Sequence, residues 1–405
     1  MYILKAKYII TCDKNFTILE DKSVVFDKEI LEIGDFETMC NKYKDAKILL
    51  FNNDIIMPGF INPHTHLEFS SNKTTLVYGD FIEWVGSIVK NRVELSDAAK
   101  EKAIYDAIFE MLNSGVTTIG EISSFGSELE ECVKTPARVV FFNELLGADE
   151  SVVDKNWKSF ISRFNKSYKH KSDLFIPAVS VHATYSTHPK LTKKLCDYAR
   201  RKNLLVSTHF MESDHEERWL REGEGKFKEW LKNFNPNPKP FYTVDSYIEN
   251  FKDVRTLFTH CVYLDELEKL DKSLHSITHC AYSNRLLSKK SLDLKKVLDS
   301  GVNLNIATDG LSSNISLNFF DELRANLLIH DEFDLQELAK TLLLSSTLNS
   351  AKALGLNLGS IESGKLADIA VFKGFDVGSK DELALQLILQ TKSVKSLFIQ
   401  GKRWK

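Results

Sequence analysis

Eight short apolar runs, each followed by a longer amphipathic segment, constrain this chain more than any other feature. One run (Ile55, Ile56, Met57) precedes Pro58-Gly59-Phe60-Ile61-Asn62-Pro63-His64-Thr65-His66. The others span Val116 to Ile122, Val139 to Leu145, Phe175 to His182, Leu204 to His209, Thr256 to His260, Ser276 to His279 and Val302 to Ala307. Short buried strands alternating with helices are the pattern of a parallel (β/α)₈ barrel. The clearest helical stretch starts at Ser96, a good N-cap. It runs through Ile104, Ile108, Met111 and Leu112 to Gly115, a good stop.

The two ends of the chain read differently. From Tyr2 to about Ile56, short alternating runs (Ile3 to Ala6, Val24 to Phe26, Ile30 to Ile33) are broken by Asp, Lys, Asn and Gly turns. Strand patterns return after Gly359, at Asp368 to Phe372 and Ser396 to Ile399. The expected fold is therefore α/β, a (β/α)₈ TIM-type barrel with a small β-sandwich domain built from both termini. It divides the chain into 1–56, 57–358 and 359–405. Asn233 to Pro240 is Pro-rich and reads equally well as a surface loop or a lid.

Composition excludes several function classes. A net charge of -3 on 405 residues gives no electrostatic reason to bind nucleic acid or an anionic membrane. No apolar run approaches a membrane span, and Lys5 and Lys7 interrupt the amino-terminal one, so a cytoplasmic protein is expected. Cys12, Cys40, Cys132, Cys196, Cys261 and Cys280 are dispersed and form no Cys-x-x-Cys, as suits buried reduced thiols.

In such barrels the chemistry gathers at the carboxyl ends of the strands. His64 and His66, His182, His209, His260, His279 and Asp309 all fall there. Residues i and i+2 of a strand share a face, so His64 and His66 can reach one ion. With His209 and Asp309 they make a nitrogen and oxygen donor set suited to one Zn²⁺ or Fe²⁺. Glu212 follows His209 by three residues, where it could serve a coordinated water instead of the ion. His170, His188, His215, His275 and His330 sit in polar or helical context and read as surface residues.

These pieces resemble the amidohydrolase superfamily, in the mononuclear branch with cytosine, guanine and S-adenosylhomocysteine deaminases. The matching stretches are Pro58 to His66, His209-x-x-Glu212, Thr259-His260-Cys261, His279-Cys280-x-x-Ser283-Asn284, Thr308-Asp309-Gly310-x-x-Ser313-Asn314 and Gly359 to Ile369. His182 stands where binuclear relatives carry a lysine, which implies a single metal. Three further stretches are similar to bacterial aminofutalosine deaminases, which serve menaquinone biosynthesis: His64 to Ser70, Ser283 to Ser288 and Ala307 to Leu317. Ala281 replaces the proline of the wider His-Cys-Pro pattern, and Tyr78-Gly79 lies near where Arg-Gly is usual.

The resemblance implies hydrolytic deamination of the adenine ring of 6-amino-6-deoxyfutalosine, a small-molecule nucleoside. Glu212 would relay a proton to a ring nitrogen, while His260 and Asp309 would orient the attacking oxygen. Trp84 would pack on the adenine, and His182 and Ser313 would contact the rest of the nucleoside. Arg285 is a candidate partner for the substrate carboxylate, since a guanidinium can clasp it with two hydrogen bonds. Dimers are usual among such relatives, so the resemblance admits a homodimer. Open alternatives are a deaminase of S-adenosylhomocysteine, methylthioadenosine or adenosine, a related chlorohydrolase, and a metal-free scaffold.

Overall fold

A computed structural model describes residues 1–71, 75–91, 97–233 and 235–405. Five strands come first: β1 (Tyr2–Ile10), β2 (Ile18–Glu20), β3 (Lys22–Phe26), β4 (Ile30–Asp35) and β5 (Lys47–Pro58). Eight barrel strands follow: β6 (Phe60–Thr65), β7 (Val116–Ser123), β8 (Arg138–Leu145), β9 (Phe175–Val181), β10 (Val206–Phe210), β11 (Thr256–His260), β12 (His275–His279) and β13 (Asn303–Ile306). Three more close the chain: β14 (Ile369–Lys373), β15 (Ser396–Ile399) and β16 (Lys402–Arg403).

The strands β6 to β13 pair in chain order, each parallel to the next. The barrel is drawn shut between β6 and β13 largely by side chains. Asn62 Nδ2 donates to Thr308 Oγ1 at 2.7 Å, and Thr308 N–H donates to Asn62 Oδ1 at 3.1 Å. Asp309 N–H reaches His64 O at 3.2 Å. Apolar residues alternate as a half-and-half strand requires. On β8, Val139 and Phe141 pack outward beneath the helices, while Val140 and Phe142 join Ile61, Ile122, Ala178 and Leu257 in a separate cluster.

The helix expected before Gly115 spans Asp97–Asn113, with Ile104, Ile108, Met111 and Leu112 buried. The N-cap Ser96 lies outside the described residues. Gly115 stops the helix with φ of +99°, where a Cβ would also meet the Phe372 ring.

The terminal strands form one sheet in the order β16-β15-β14-β5-β1-β3-β4, with β2 on β1. Antiparallel pairing of β14 with β5 stitches the carboxyl-terminal part to the amino-terminal part at the barrel's entrance strand. All six cysteines are free, five of them buried. Among the described residues no helix is long and apolar enough to cross a membrane. The stretch Asn235 to Pro240 has neither helix nor strand and lines a cavity with Tyr185 and Trp219; Phe234 is outside the described residues.

One buried ion pair joins barrel to sheet. Arg138, at the start of β8, donates to both carboxylate oxygens of Asp368, and both side chains are almost wholly excluded from water. Thr118 Oγ1 accepts a further bond from Arg138, and Gln400 N–H donates to Asp368. Asp368→Ala leaves a guanidinium buried without its partner, which costs about 3–5 kcal/mol, whereas replacing both residues by apolar ones of similar volume costs much less. Urea unfolding of the single and double variants measures both.

Candidate active site

Four side chains converge at the carboxyl end of the barrel. Asp309 Oδ1 lies 3.8 Å from His64 Nε2 and 3.5 Å from His66 Nε2. His66 Nε2 is 3.2 Å from His209 Nε2. Donor atoms of His64, His66 and Asp309, and of His64, His209 and His260, lie within 4.8 Å of one another.

Neighbours set the direction of each donor. His209 Nδ1 donates to the carbonyl of His182 at 2.9 Å, which leaves the Nε2 lone pair pointing inward. Thr259 Oγ1 lies 3.2 Å from His64 Nδ1, and His64 Nε2 is buried without a partner. Ser283 and Ser313 donate to Asp309 Oδ2 at 2.7 and 2.9 Å, turning Oδ1 toward the histidines. Burial pushes the imidazoles of His64 and His209 well below their ordinary range, reinforced by neighbouring histidines, so both are neutral. Neutral nitrogens and a carboxylate aimed at one point, with an orphaned buried lone pair among them, fit a divalent cation.

Backbone geometry re-aims the ends of two strands. His260 has φ of +77° and Asp309 +58°, left-handed conformations that non-glycine residues seldom adopt and that concentrate at functional sites. On a regular strand His260 would share the face of Phe258, which packs outward. Instead His260 Nε2 stands 3.5 Å from Glu212 Oε1 at the barrel mouth. Burial pushes the Glu212 carboxyl well up, and the charges of Asp309 and Glu216 add to it. Such an acid holds its proton readily and gives it up only when its surroundings change, as a proton shuttle requires.

A cavity of about 410 Å³ opens above these groups. His66, His209, Glu212, His260 and Asp309 form its base, and its walls are mainly apolar, including Phe81, Trp84 and Tyr185. A larger cavity of about 600 Å³ lies at the opposite end of the barrel and contains none of the candidate residues.

Trp84 lines the active-site cavity with its indole N–H donated to Ser312 O at 2.9 Å, so the ring is held as a wall. His182 lines it too, hydrogen-bonded to Ser186 and pushed down to about 4 by burial. Ser313 does not line the cavity; its hydroxyl is spent on Asp309, and the neighbouring Ser312 takes the wall position. Arg285 is exposed on the helix Ala281–Leu287 and stands outside the described lining.

Two histidines expected at the surface are buried. His275 is locked between the Asp271 N–H and the Phe251 carbonyl, and His330 packs against His279. Polar sequence context misled because helix and loop cover those positions from outside the barrel. His170, His188 and His215 are half-buried, His215 paired with Asp80 at 3.0 Å. Sequence reasoning assigned no role to Ser283, Asn284 or Glu144. Ser283 and Asn284 lie just past β12 and Glu144 near the end of β8, positions where a polar residue is itself the signal. Glu144 lines the cavity with a buried oxygen that lacks a hydrogen-bond partner. Ala281 donates its N–H to Glu322 at 2.5 Å, a bond that proline could not make.

The chain matches the Amidohydrolase family over residues 55–404. It is 39% identical to the aminodeoxyfutalosine deaminase of a Nitratiruptor species, over 99% of each chain. It is 38% identical to an adenosine deaminase of Helicobacter pylori, again over 99% of each. Its fold superposes on the crystal structure of Helicobacter pylori aminofutalosine deaminase in complex with methylthio-coformycin, with a TM-score of 0.93, 38% identity and all of both chains covered. Matched over most of its length by the family and over its full length by these relatives, the chain belongs to the Amidohydrolase family.

Proposed function

We propose that this protein is a hydrolytic deaminase that replaces the amino group of the adenine ring of 6-amino-6-deoxyfutalosine by oxygen, releasing futalosine and ammonia for menaquinone biosynthesis. The observation that carries this reading is the end-to-end likeness to an aminodeoxyfutalosine deaminase, with the converging donors of the barrel mouth in support.

His64, His66, His209 and Asp309 would hold one divalent ion, Zn²⁺ or Fe²⁺. Such an ion lowers the pKa of a coordinated water to about 7. The chain's own residues do the rest. Glu212 accepts the proton of the attacking water and hands it to a ring nitrogen, so that negative charge does not build up on the ring. His260 Nε2 and Asp309 orient the attacking oxygen toward the ring carbon that bears the amino group. A carbon–oxygen bond forms, the carbon–nitrogen bond breaks, and the amino group leaves as ammonia after taking up the remaining proton of the attacking water. Trp84 offers a fixed flat wall against which an adenine can pack.

A second reading is methylthioadenosine as substrate. Among the described residues the cavity wall contains no Lys or Arg, so no cation there pairs with the carboxylate of aminodeoxyfutalosine. Ammonia release across aminodeoxyfutalosine, methylthioadenosine, S-adenosylhomocysteine and adenosine separates the two. The highest kcat/KM is expected on aminodeoxyfutalosine. A higher value on methylthioadenosine reverses the substrate assignment and leaves the deamination intact.

His66→Ala removes one of four donors, so the purified protein should lose its ion and its turnover together. Full metal content by elemental analysis with normal ammonia release would end this ligand assignment. Glu212→Gln keeps shape and polarity but cannot take up a proton. Its kcat should fall by about 10²–10⁴-fold with metal content unchanged. A rate near that of the unaltered enzyme would assign the proton to another group.

A further inference from the structure

Behind His260 a line of buried side chains runs outward through the barrel wall, away from the cavity. His260 Nδ1 lies 2.8 Å from Asn284 Oδ1, and Asn284 Nδ2 lies 3.0 Å from His279 Nδ1. His279 Nε2 lies 3.0 Å from His330 Nε2, and His330 Nδ1 faces the Glu332 carboxylate at 3.9 Å. Asn284, His279 and His330 are each at most 2% exposed, and His260 meets the cavity only through Nε2, so bulk water does not compete for the links between them.

An amide oxygen only accepts and an amide nitrogen only donates, so one link dictates the next. With Asn284 Oδ1 toward His260, His260 carries its proton on Nδ1. His279 Nδ1 then accepts a hydrogen bond from the amide N–H, so His279 carries its proton on Nε2. His330 Nε2 accepts a hydrogen bond from that N–H, so His330 carries its proton on Nδ1, toward Glu332. Turning the amide over reverses every link and leaves a bare His330 nitrogen facing the carboxylate, which repels it. Glu332 therefore selects the first arrangement.

We propose that Asn284, His279 and His330 are positioning residues that fix His260 in the Nδ1–H form. Its Nε2 then presents a lone pair to the attacking water. In the opposite form Nε2–H would donate to that oxygen and occupy the electron pair needed for attack. The proposal rests on the reading of His260 as a neighbour of the reacting water, but the tautomer can be read without any turnover.

The first experiment is a long-range ¹H–¹⁵N correlation spectrum of the full-length, metal-loaded protein, with the His260 signals assigned by their loss in His260→Gln. A proton on Nδ1 is expected; a proton on Nε2 overturns the proposal even if ammonia release proceeds as expected. The second is kinetic. His330→Leu removes the acceptor that holds His279, so kcat should fall roughly tenfold, with KM and metal content nearly unchanged. His330→Gln keeps an acceptor and should restore kcat. Asn284→Asp can accept from both histidines at once, which uncouples His260 from His330. Adding His330→Leu in the N284D background should therefore cost nothing further. An unchanged kcat in His330→Leu, an equal loss in His330→Gln, or the same added loss in the N284D background would each overturn the relay.

Discussion

Closure of the barrel between its first and last strands is the constraint on which the site depends. Neither strand carries the partner's full ladder there, and the Asn62 amide does the joining by exchanging bonds with Thr308. That seam brings the backbone of Asp309 against the carbonyl of His64, and Thr65 Oγ1 donates to the Asp309 carbonyl at 3.1 Å. Thr65, the middle residue of the His-x-His stretch, and Asp309 stand 244 residues apart along the chain. Hydrogen bonds at the seam, not proximity in sequence, decide that the two histidines and the aspartate face one point.

Desolvation governs the chemistry available at that point. Buried imidazoles stay neutral and keep their lone pairs, as ligation demands, and the buried Glu212 holds a proton far more tightly than a surface glutamate. Each group has a neighbour that sets its direction: His182 O for His209, Thr259 for His64, Ser283 and Ser313 for Asp309, Asn284 for His260. A cation placed among them would satisfy the orphaned His64 nitrogen. Apolar walls above, anchored at Trp84, extend the same water-poor character over the cavity.

The terminal sheet contributes support. Its strand β14 pairs with β5, and Asp368, the residue before β14, holds Arg138 at the foot of β8. The Gly359 to Ile369 stretch thus gains a physical reason: its aspartate neutralises a cation buried between two layers. The other end of β8 carries Glu144 into the cavity, so one strand links the support at the barrel's foot with the site at its mouth.

The strand runs, the order of the barrel, the split terminal sheet and the set His64, His66, His209, Glu212, His260 and Asp309 were all legible in the sequence. Each depends on local periodicity, or on polar residues placed where an apolar run ends. What lay beyond reach depends on contacts between distant segments. Phe251 and Asp271 enclose His275, and His279 of β12 covers His330, though the sequence context of both is polar. A left-handed residue, unseen in any pattern, turns His260 away from the face of Phe258 and toward Glu212. Ser313 faces Asp309 and not the cavity, and Arg285 points into solvent, because rotation of a loop or short helix at a strand's end is set by packing. Sequence by itself determined which residue types stand at the strand ends. Tertiary structure decided which way each one faces, since direction is fixed by hydrogen-bond partners that no single segment contains.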